Sequence, residues 1–189
     1  MTTAVHALAR RVATAFSVAG LAAGLALVAP ATAEADPGVT VSCESVGQMR
    51  FSPGVQLFPL PQHIMFDGQT GTCDDNSGVG IRAASLSADF KGVVISCEAG
   101  GFDTGSGTGT ITWVLEDGSV VQSTVELEFS HNVGPLVAIS GTITSGLFTG
   151  HTFSSSYTTD LFGGAGKCTL HIPFGGFKEA TFEGQFSID

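Results

Sequence analysis

The alternation of apolar and polar residues is the feature of this sequence that most constrains its fold. Between Ala84 and Phe90 every second residue is apolar, and each residue between them is polar. The same period of two recurs in the runs 121–129, 137–144 and 180–188. Because successive side chains of a strand point to opposite faces, this pattern is typical of antiparallel sheet with one dry face and one wet face. Downstream of residue 35, no segment has sustained helical periodicity.

Turn signals separate these runs. Asp117-Gly118 lies between two apolar segments and predicts a tight hairpin, because both residues tolerate positive φ. Further breaks fall at Ser52-Pro53-Gly54, Asn132-Val133-Gly134-Pro135, Gly163-Gly164-Ala165-Gly166 and Gly175-Gly176. We therefore predict an all-β fold, a single antiparallel β-barrel or β-sandwich of about eight to ten strands stabilised by disulfides.

Residues 1–35 have the composition of a cleavable signal peptide. Arg10 and Arg11 form a positive n-region, an apolar run follows, and small residues precede Ala33 and Ala35. Cleavage after Ala35 would leave 36–189 as a single secreted all-β domain, and cleavage after Ala33 is the alternative. A retained membrane anchor is a further alternative, although the apolar run is short for a bilayer span.

The charge balance restricts the partners. Asp and Glu number 17 against 7 Lys and Arg, which gives a formal net charge of −10. Such a field repels phosphate backbones and anionic lipid, so we predict no nucleic-acid partner and no membrane contact after cleavage of the leader. The remaining partner classes are a hydrophobic small molecule and an extracellular protein. The sequence does not set the oligomeric state.

Four cysteines lie downstream of the leader, which predicts disulfides formed in an oxidising compartment. A first strand near 40–51 and a second near 63–72 should form a hairpin, in which Cys43 and Cys73 come within one residue of facing positions. Of the three possible connectivities we therefore predict Cys43–Cys73, which leaves Cys97 to pair with Cys168.

Five segments of the chain resemble a group of small exported β-rich proteins of actinomycete bacteria. They are CESVGQMRFSPGV from Cys43, GQTGTC ending at Cys73, VVISC ending at Cys97, GTGTITW ending at Trp113 and ISGTITSGLFTGHTF from Ile139. These segments consist of turns, strands and cysteines, so the resemblance implies an exported β-rich fold. It implies no activity and no functional residues, because the group has no assigned activity.

No sequence motif for catalysis, for a cofactor or for a metal is evident. The histidines downstream of the leader are His63, His131, His151 and His171, and their spacing is not that of a metal site. The run 74–78 places oxygens at alternate positions, as a calcium loop does, but it lacks the late glutamate, so a polar turn is predicted. We predict no catalytic residues, no metal and no cofactor.

Glu126 and Glu128 lie on one strand face, roughly 7 Å apart at the rise of two residues. This separation is within reach of the carboxylate spacings of glycosidases. The alternative is a solvated face whose charges protect an edge strand from pairing, and we favour this alternative.

The segment 55–61 is an apolar, proline-stiffened stretch at a position where a loop is expected. Leu57, Phe58 and Leu60 would form either a contact site for a partner or a cap that folds back over one end of the fold, and we favour the cap. The predicted function is a secreted non-enzymatic binding protein for a hydrophobic small molecule or a protein partner. The alternatives are a secreted hydrolase or barrel-type isomerase, and a structural protein of the cell envelope.

Overall fold

The structure, a computed structural model, describes residues 40–98, 100–162 and 175–189. These residues form eleven β-strands: β1 (Val41–Val55), β2 (Leu60–Gly68), β3 (Gly71–Asp75), β4 (Ile81–Ser96), β5 (Gly101–Phe102), β6 (Gly105–Leu115), β7 (Val120–Phe129), β8 (Asn132–Val133), β9 (Leu136–Gly146), β10 (Thr152–Thr159) and β11 (Phe177–Ile188). They include no helix long and apolar enough to cross a bilayer. The predicted all-β class is confirmed, while the leader lies outside the described residues.

Eight long strands are hydrogen-bonded neighbours in a ring. The order is β2, β1, β11, β10, β9, β7, β6 and β4, and β4 pairs back to β2. All of these pairings are antiparallel. The short strands attach to this ring, because β3 pairs with β1 and β4 while β5 joins β4 to β8. The hairpin predicted at Asp117-Gly118 is confirmed, since it connects β6 to β7.

The predicted faces of the strands are the faces that the structure buries. The buried residues of these runs include Ala84, Leu86, Phe90, Val125, Leu127, Phe129, Val137, Ile139, Ile143, Phe182, Phe186 and Ile188. Val121 is the exception, because it lies at the start of β7 and is exposed. Ser123 is buried instead. It accepts a hydrogen bond from Trp113 Nε1 at 2.9 Å and donates one to the carbonyl oxygen of Leu147 at 2.6 Å.

Aromatic rings fill much of the interior. The ring of Phe66 has four aromatic neighbours at centroid distances between 4.8 and 6.1 Å, which are Phe90, Phe129, Tyr157 and Phe182. Inward-facing glycines of β6 make room for side chains from the strands on either side. These glycines are Gly105, Gly107 and Gly109, and they alternate with outward Ser and Thr residues. The Gly-Thr repeat of the sequence therefore has a packing explanation.

A disulfide joins Cys43 of β1 to Cys73 of β3, as predicted. The two strands reach this pairing through a one-residue shift. Gly47 faces Gly68 in the β1–β2 register, and its continuation would place Thr72 opposite Cys43. Cys73 faces Cys43 instead, because β2 ends at Gly68 and β3 begins a new register at Gly71. The second predicted bond, Cys97–Cys168, stays a prediction because Cys168 lies outside the described residues.

Candidate functional site

The candidate site lies where β2, β4, β5 and β8 run side by side. Leu60 faces Ile95, Ile95 faces Phe102, and Phe102 faces Asn132, so these four residues lie side by side across four neighbouring strands. The two-residue strands β5 and β8 extend the sheet beyond the ring at this point. Residues of the β1–β2 loop and of β8 are thereby brought together.

A small apolar cleft opens between these elements. Its volume is about 130 Å³, and Pro59, Val94, Phe102 and Val133 contribute apolar surface to it. Val133 is 72% exposed and Phe58, adjacent to Pro59, is 66% exposed. We call Phe58, Pro59 and Val133 the end patch. The cleft lies between Pro59 and Val133 of the end patch and can receive an apolar group from outside.

Polar groups border the cleft on one side. Asp103 and His131 both line it, and the Nδ1 atom of His131 lies 3.5 Å from an Oδ1 atom of Asp103. The same carboxylate oxygen accepts a hydrogen bond from the backbone N–H of Thr104 at 2.8 Å. Both side chains of the ion pair are exposed. The rim therefore presents a carboxylate that is accessible to a cationic group of a partner.

Backbone hydrogen bonds hold the loop that carries Phe58 against the end of β4. The N–H of Cys97 donates to the carbonyl oxygen of Gln56 at 2.8 Å, and the N–H of Glu98 donates to that of Leu57 at 3.1 Å. These bonds fix the segment before Phe58, and the pairing of Leu60 with Ile95 fixes the chain after it. An apolar side chain on a fixed loop loses less conformational entropy on binding than one on a mobile loop.

The side chain of Gln62 braces the base of the same loop. Its Oε1 atom accepts a hydrogen bond from the N–H of Gly54 at 2.9 Å, and its Nε2 atom donates to the carbonyl oxygens of Gly54 at 3.2 Å and Leu60 at 3.4 Å. Gln62 is only 1% exposed. Because a buried amide needs partners, this network ties the two ends of the loop together.

The structure separates the three residues predicted for this loop. Leu57 is half-buried, whereas Phe58 and Leu60 are exposed. The predicted cap is therefore wrong for Phe58 and Leu60. Phe102 of β5 covers this end of the core instead, since its ring lies 5.6 Å from that of Phe129 and 5.5 Å from that of Phe162.

Sequence reasoning missed two parts of the site. The sequence pattern indicates only a turn at Val133, and Phe102 lies in no run of alternating residues. The apolar character of Val133 within the run Asn132-Val133-Gly134-Pro135 was the available signal, because a turn tip that is solvated on all sides seldom needs a large apolar residue.

A second, larger cleft of about 770 Å³ lies over the outer faces of β4, β6, β7 and β9. Glu126 and Glu128 both line it, together with Asp89 and Lys91. The idea that the two glutamates protect an edge strand is wrong, because β7 is paired on one side with β6 and on the other with β9. They belong to a broad polar face in which neighbouring strands contribute Ser and Thr residues.

The described histidines lie apart from one another. His63 Nε2 is 2.7 Å from Asp89 Oδ2, and His151 Nδ1 is 2.9 Å from the carbonyl oxygen of Asp189. His171 lies outside the described residues. Within the part of the chain that the structure describes, no group of three or more His, Cys, Asp or Glu residues is arranged to hold a metal ion.

The run 74–78 forms a polar turn, as predicted. The carboxylate of Asp75 accepts hydrogen bonds from the backbone N–H groups of Ser77, Gly80 and Ile81, each at 2.8 Å, and from the Ser77 hydroxyl. Partial burial raises the pKa of Asp75, but these hydrogen bonds outweigh it and hold that pKa below its ordinary value. The carboxylate oxygens are thus occupied by the turn itself.

Comparison with known proteins gave no assignment: no family model, no curated protein and no solved structure matches the chain significantly.

Proposed function

We propose that this chain is a secreted, non-enzymatic binding protein that contacts an extracellular protein through the end patch. The observation that carries the proposal is Phe58, a large aromatic side chain that is 66% exposed on a loop braced by the buried Gln62. Aromatic residues, Phe among them, are enriched at the cores of protein interfaces relative to the rest of the protein surface. We further propose that the ring of strands is a closed barrel that serves as the scaffold for this loop.

The dimensions of the clefts favour a protein partner over a hydrophobic small molecule. Pockets that enclose drug-sized ligands have volumes of roughly 300–1,000 Å³. The apolar cleft of about 130 Å³ is well below this range. The cleft of about 770 Å³ is within the range, but its lining includes three carboxylates and an ammonium group, which suit no hydrophobic ligand. A single aliphatic side chain of a partner fits the apolar cleft better.

The charges indicate the chemistry of that partner. The chain has a net charge of −10, and Asp103 borders the cleft. Consider a partner that has an aliphatic side chain beside a lysine or arginine. Its aliphatic side chain would enter the cleft, and its cationic side chain would lie near Asp103. Such complementarity also accelerates the encounter of the two proteins. The Cys43–Cys73 disulfide agrees with an oxidising compartment, and the proposed export follows the resemblance to exported actinomycete proteins.

Site-specific photocrosslinking in the secreting cells tests the proposal. A photoreactive residue at position 58 should give a crosslinked protein adduct. The same residue at position 120 should not, although Val120 is 59% exposed and therefore a matched control. With the crosslinked partner purified, Phe58→Ser should weaken binding by at least about 30-fold, the loss expected for an interface anchor. Equal adducts at both positions, or unchanged affinity of Phe58→Ser, would exclude the end patch.

A further inference from the structure

The apolar cleft of about 130 Å³ and the polar cleft of about 770 Å³ adjoin each other on the same strands. Each of the neighbouring strands β4, β6 and β7 brings one residue to the polar cleft, and the residue three positions away along the chain lines the apolar cleft. The pairs are Lys91 with Val94, Ser106 with Asp103, and Glu128 with His131. At a rise of about 3.3–3.4 Å per residue, the two clefts lie roughly 10 Å apart.

The pairing of β6 with β7 continues from the polar cleft to the apolar one. Ser106 faces Glu128 in the β6–β7 ladder, and Phe102 faces Asn132 in the β5–β8 ladder. Four residues separate Ser106 from Phe102, and four separate Glu128 from Asn132, so β5 and β8 keep the register of β6 and β7. A partner segment that lies along these two strands therefore passes from one cleft to the other.

Two carboxylates of the polar cleft are unpaired among the residues that the structure describes. The exposed side chains of Glu126 and Glu128 make no hydrogen bond or ion pair there, whereas Asp89 lies 2.7 Å from His63. Lys91 is in the same row as Glu128, but β6 lies between their strands and separates them by roughly 10 Å. The β7 side of the cleft thus presents two negative charges roughly 7 Å apart.

We propose that the protein partner of the end patch also binds in the polar cleft, through two cationic side chains that pair with Glu126 and Glu128. The inference rests on the proposed function and names the segment of that partner, an extended stretch of about six residues. Its aliphatic side chain enters the apolar cleft, and its lysine or arginine side chains lie roughly 10 Å further along. The opposite charges fix the direction of the segment and accelerate its encounter with the chain, whose net charge is −10.

Photocrosslinking at position 128 in the secreting cells, beside that at position 58, tests the inference. We expect both positions to crosslink to the same protein, at sites no more than about six residues apart and next to lysine or arginine. Position 116 is the matched control and should give no adduct. Glu116 is also an exposed glutamate, but it belongs to the turn between β6 and β7 and lines neither cleft.

The affinity of the purified partner is the second measurement. Replacement of both Glu126 and Glu128 by glutamine should weaken binding about 5- to 10-fold at low ionic strength, because two exposed ion pairs are lost. The effect should largely vanish in about 1 M salt, where the Debye length is about 3 Å. Replacement of Glu116 and Glu183 by glutamine removes two exposed charges outside both clefts and should change the affinity by less than about 2-fold.

The outcomes separate this inference from the proposed function. An adduct at position 58 without one at position 128 would overturn the inference and leave the proposed function intact. The same holds for an adduct at position 128 with a glycan, with a second copy of this chain or with a protein other than the one crosslinked at position 58. Equal affinities of the native chain and the Glu126 and Glu128 double variant would overturn it as well. The absence of an adduct at position 58 would overturn both.

Discussion

Gly107 of β6 lies directly against the ring of Phe90 on β4. A Cβ atom at position 107 would be 2.6 Å from Cδ1 of Phe90 and 2.3 Å from the carbonyl oxygen of Asp89. Both distances are shorter than any ordinary contact of a methyl group, and the second involves backbone that cannot rotate away. The aromatic core can occupy its present volume only because this position has no side chain.

Gly107→Ala should therefore destabilise the fold. We expect a loss of about 1–3 kcal/mol in the free energy of unfolding, the range for overpacked cores, because β4 and β6 must move apart. Urea denaturation measures the change. Thr108→Ala, at the adjacent outward position, should cost less than about 1 kcal/mol. Equal stability of Gly107→Ala and the native chain would contradict the close packing at this point.

Gln62→Leu should weaken the fold and loosen the loop that carries Phe58. The change leaves the N–H and the carbonyl group of Gly54 without their side-chain partner, and an unsatisfied buried group costs about 1–3 kcal/mol. Hydrogen exchange of the Gly54 amide should accelerate together with this loss. The control is Gln122→Leu, since the amide of Gln122 makes only an exposed hydrogen bond to Thr112. Unchanged exchange at Gly54 would show that the brace is not needed.

The turn at Asp75 should make stability depend on pH at the acid end. The pKa of Asp75 in the folded state is lowered, so its stabilising contribution is complete above the ordinary carboxyl pKa of about 3.9. That contribution is lost as the pH falls through the lower, folded-state pKa. Asp75→Asn should therefore reduce stability at neutral pH and flatten its dependence between about pH 5 and pH 2.

The measurement is the urea midpoint as a function of pH. Asp74→Asn is the control, because the neighbouring carboxylate accepts none of the turn's hydrogen bonds. The same pH dependence in Asp75→Asn as in the native chain would assign the acid sensitivity to other groups.

Replacement of both Cys43 and Cys73 by alanine should destabilise the protein by about 3.5–4 kcal/mol. This is the loop-entropy value for a bond whose cysteines are 30 residues apart. Chemical denaturation under non-reducing conditions measures the loss while leaving Cys97 and Cys168 unchanged. A loss below about 1 kcal/mol would mean that the unfolded chain is already compact around the first hairpin.

Local periodicity explains why much of the fold could be predicted. In Ala84–Phe90 the alternation of apolar and polar residues predicts which side chains face the core. The structure buries those apolar side chains. The strand β5 had no such signal, because two residues are too few for a pattern and their pairing depends on neighbours distant in sequence. The prediction that Glu126 and Glu128 protect an edge strand is wrong for the same reason. Local sequence does not show which strands flank β7, because strand order in a sheet is set by tertiary structure.

The site was only partly predictable for a related reason. The apolar character of Phe58 was evident, but its exposure depends on whether another side chain covers that end of the core. Phe102 does so, and its placement requires the pairing of β5 with β8. Gln62 had no distinguishing signal either, because a single glutamine in a strand gives no indication of a buried brace.

The pairing of the first strand with the last has a consequence for biogenesis. Val41 faces Ile188, and the β1–β11 register extends to the pair Val55 and Phe177. A chain that is synthesised in order from its N-terminus presents β1 long before β11 exists. The ring can close only when the final residues have emerged, so until then β1 keeps one unpaired edge. Chaperones that shield extended segments of newly made chains are therefore expected to act on β1.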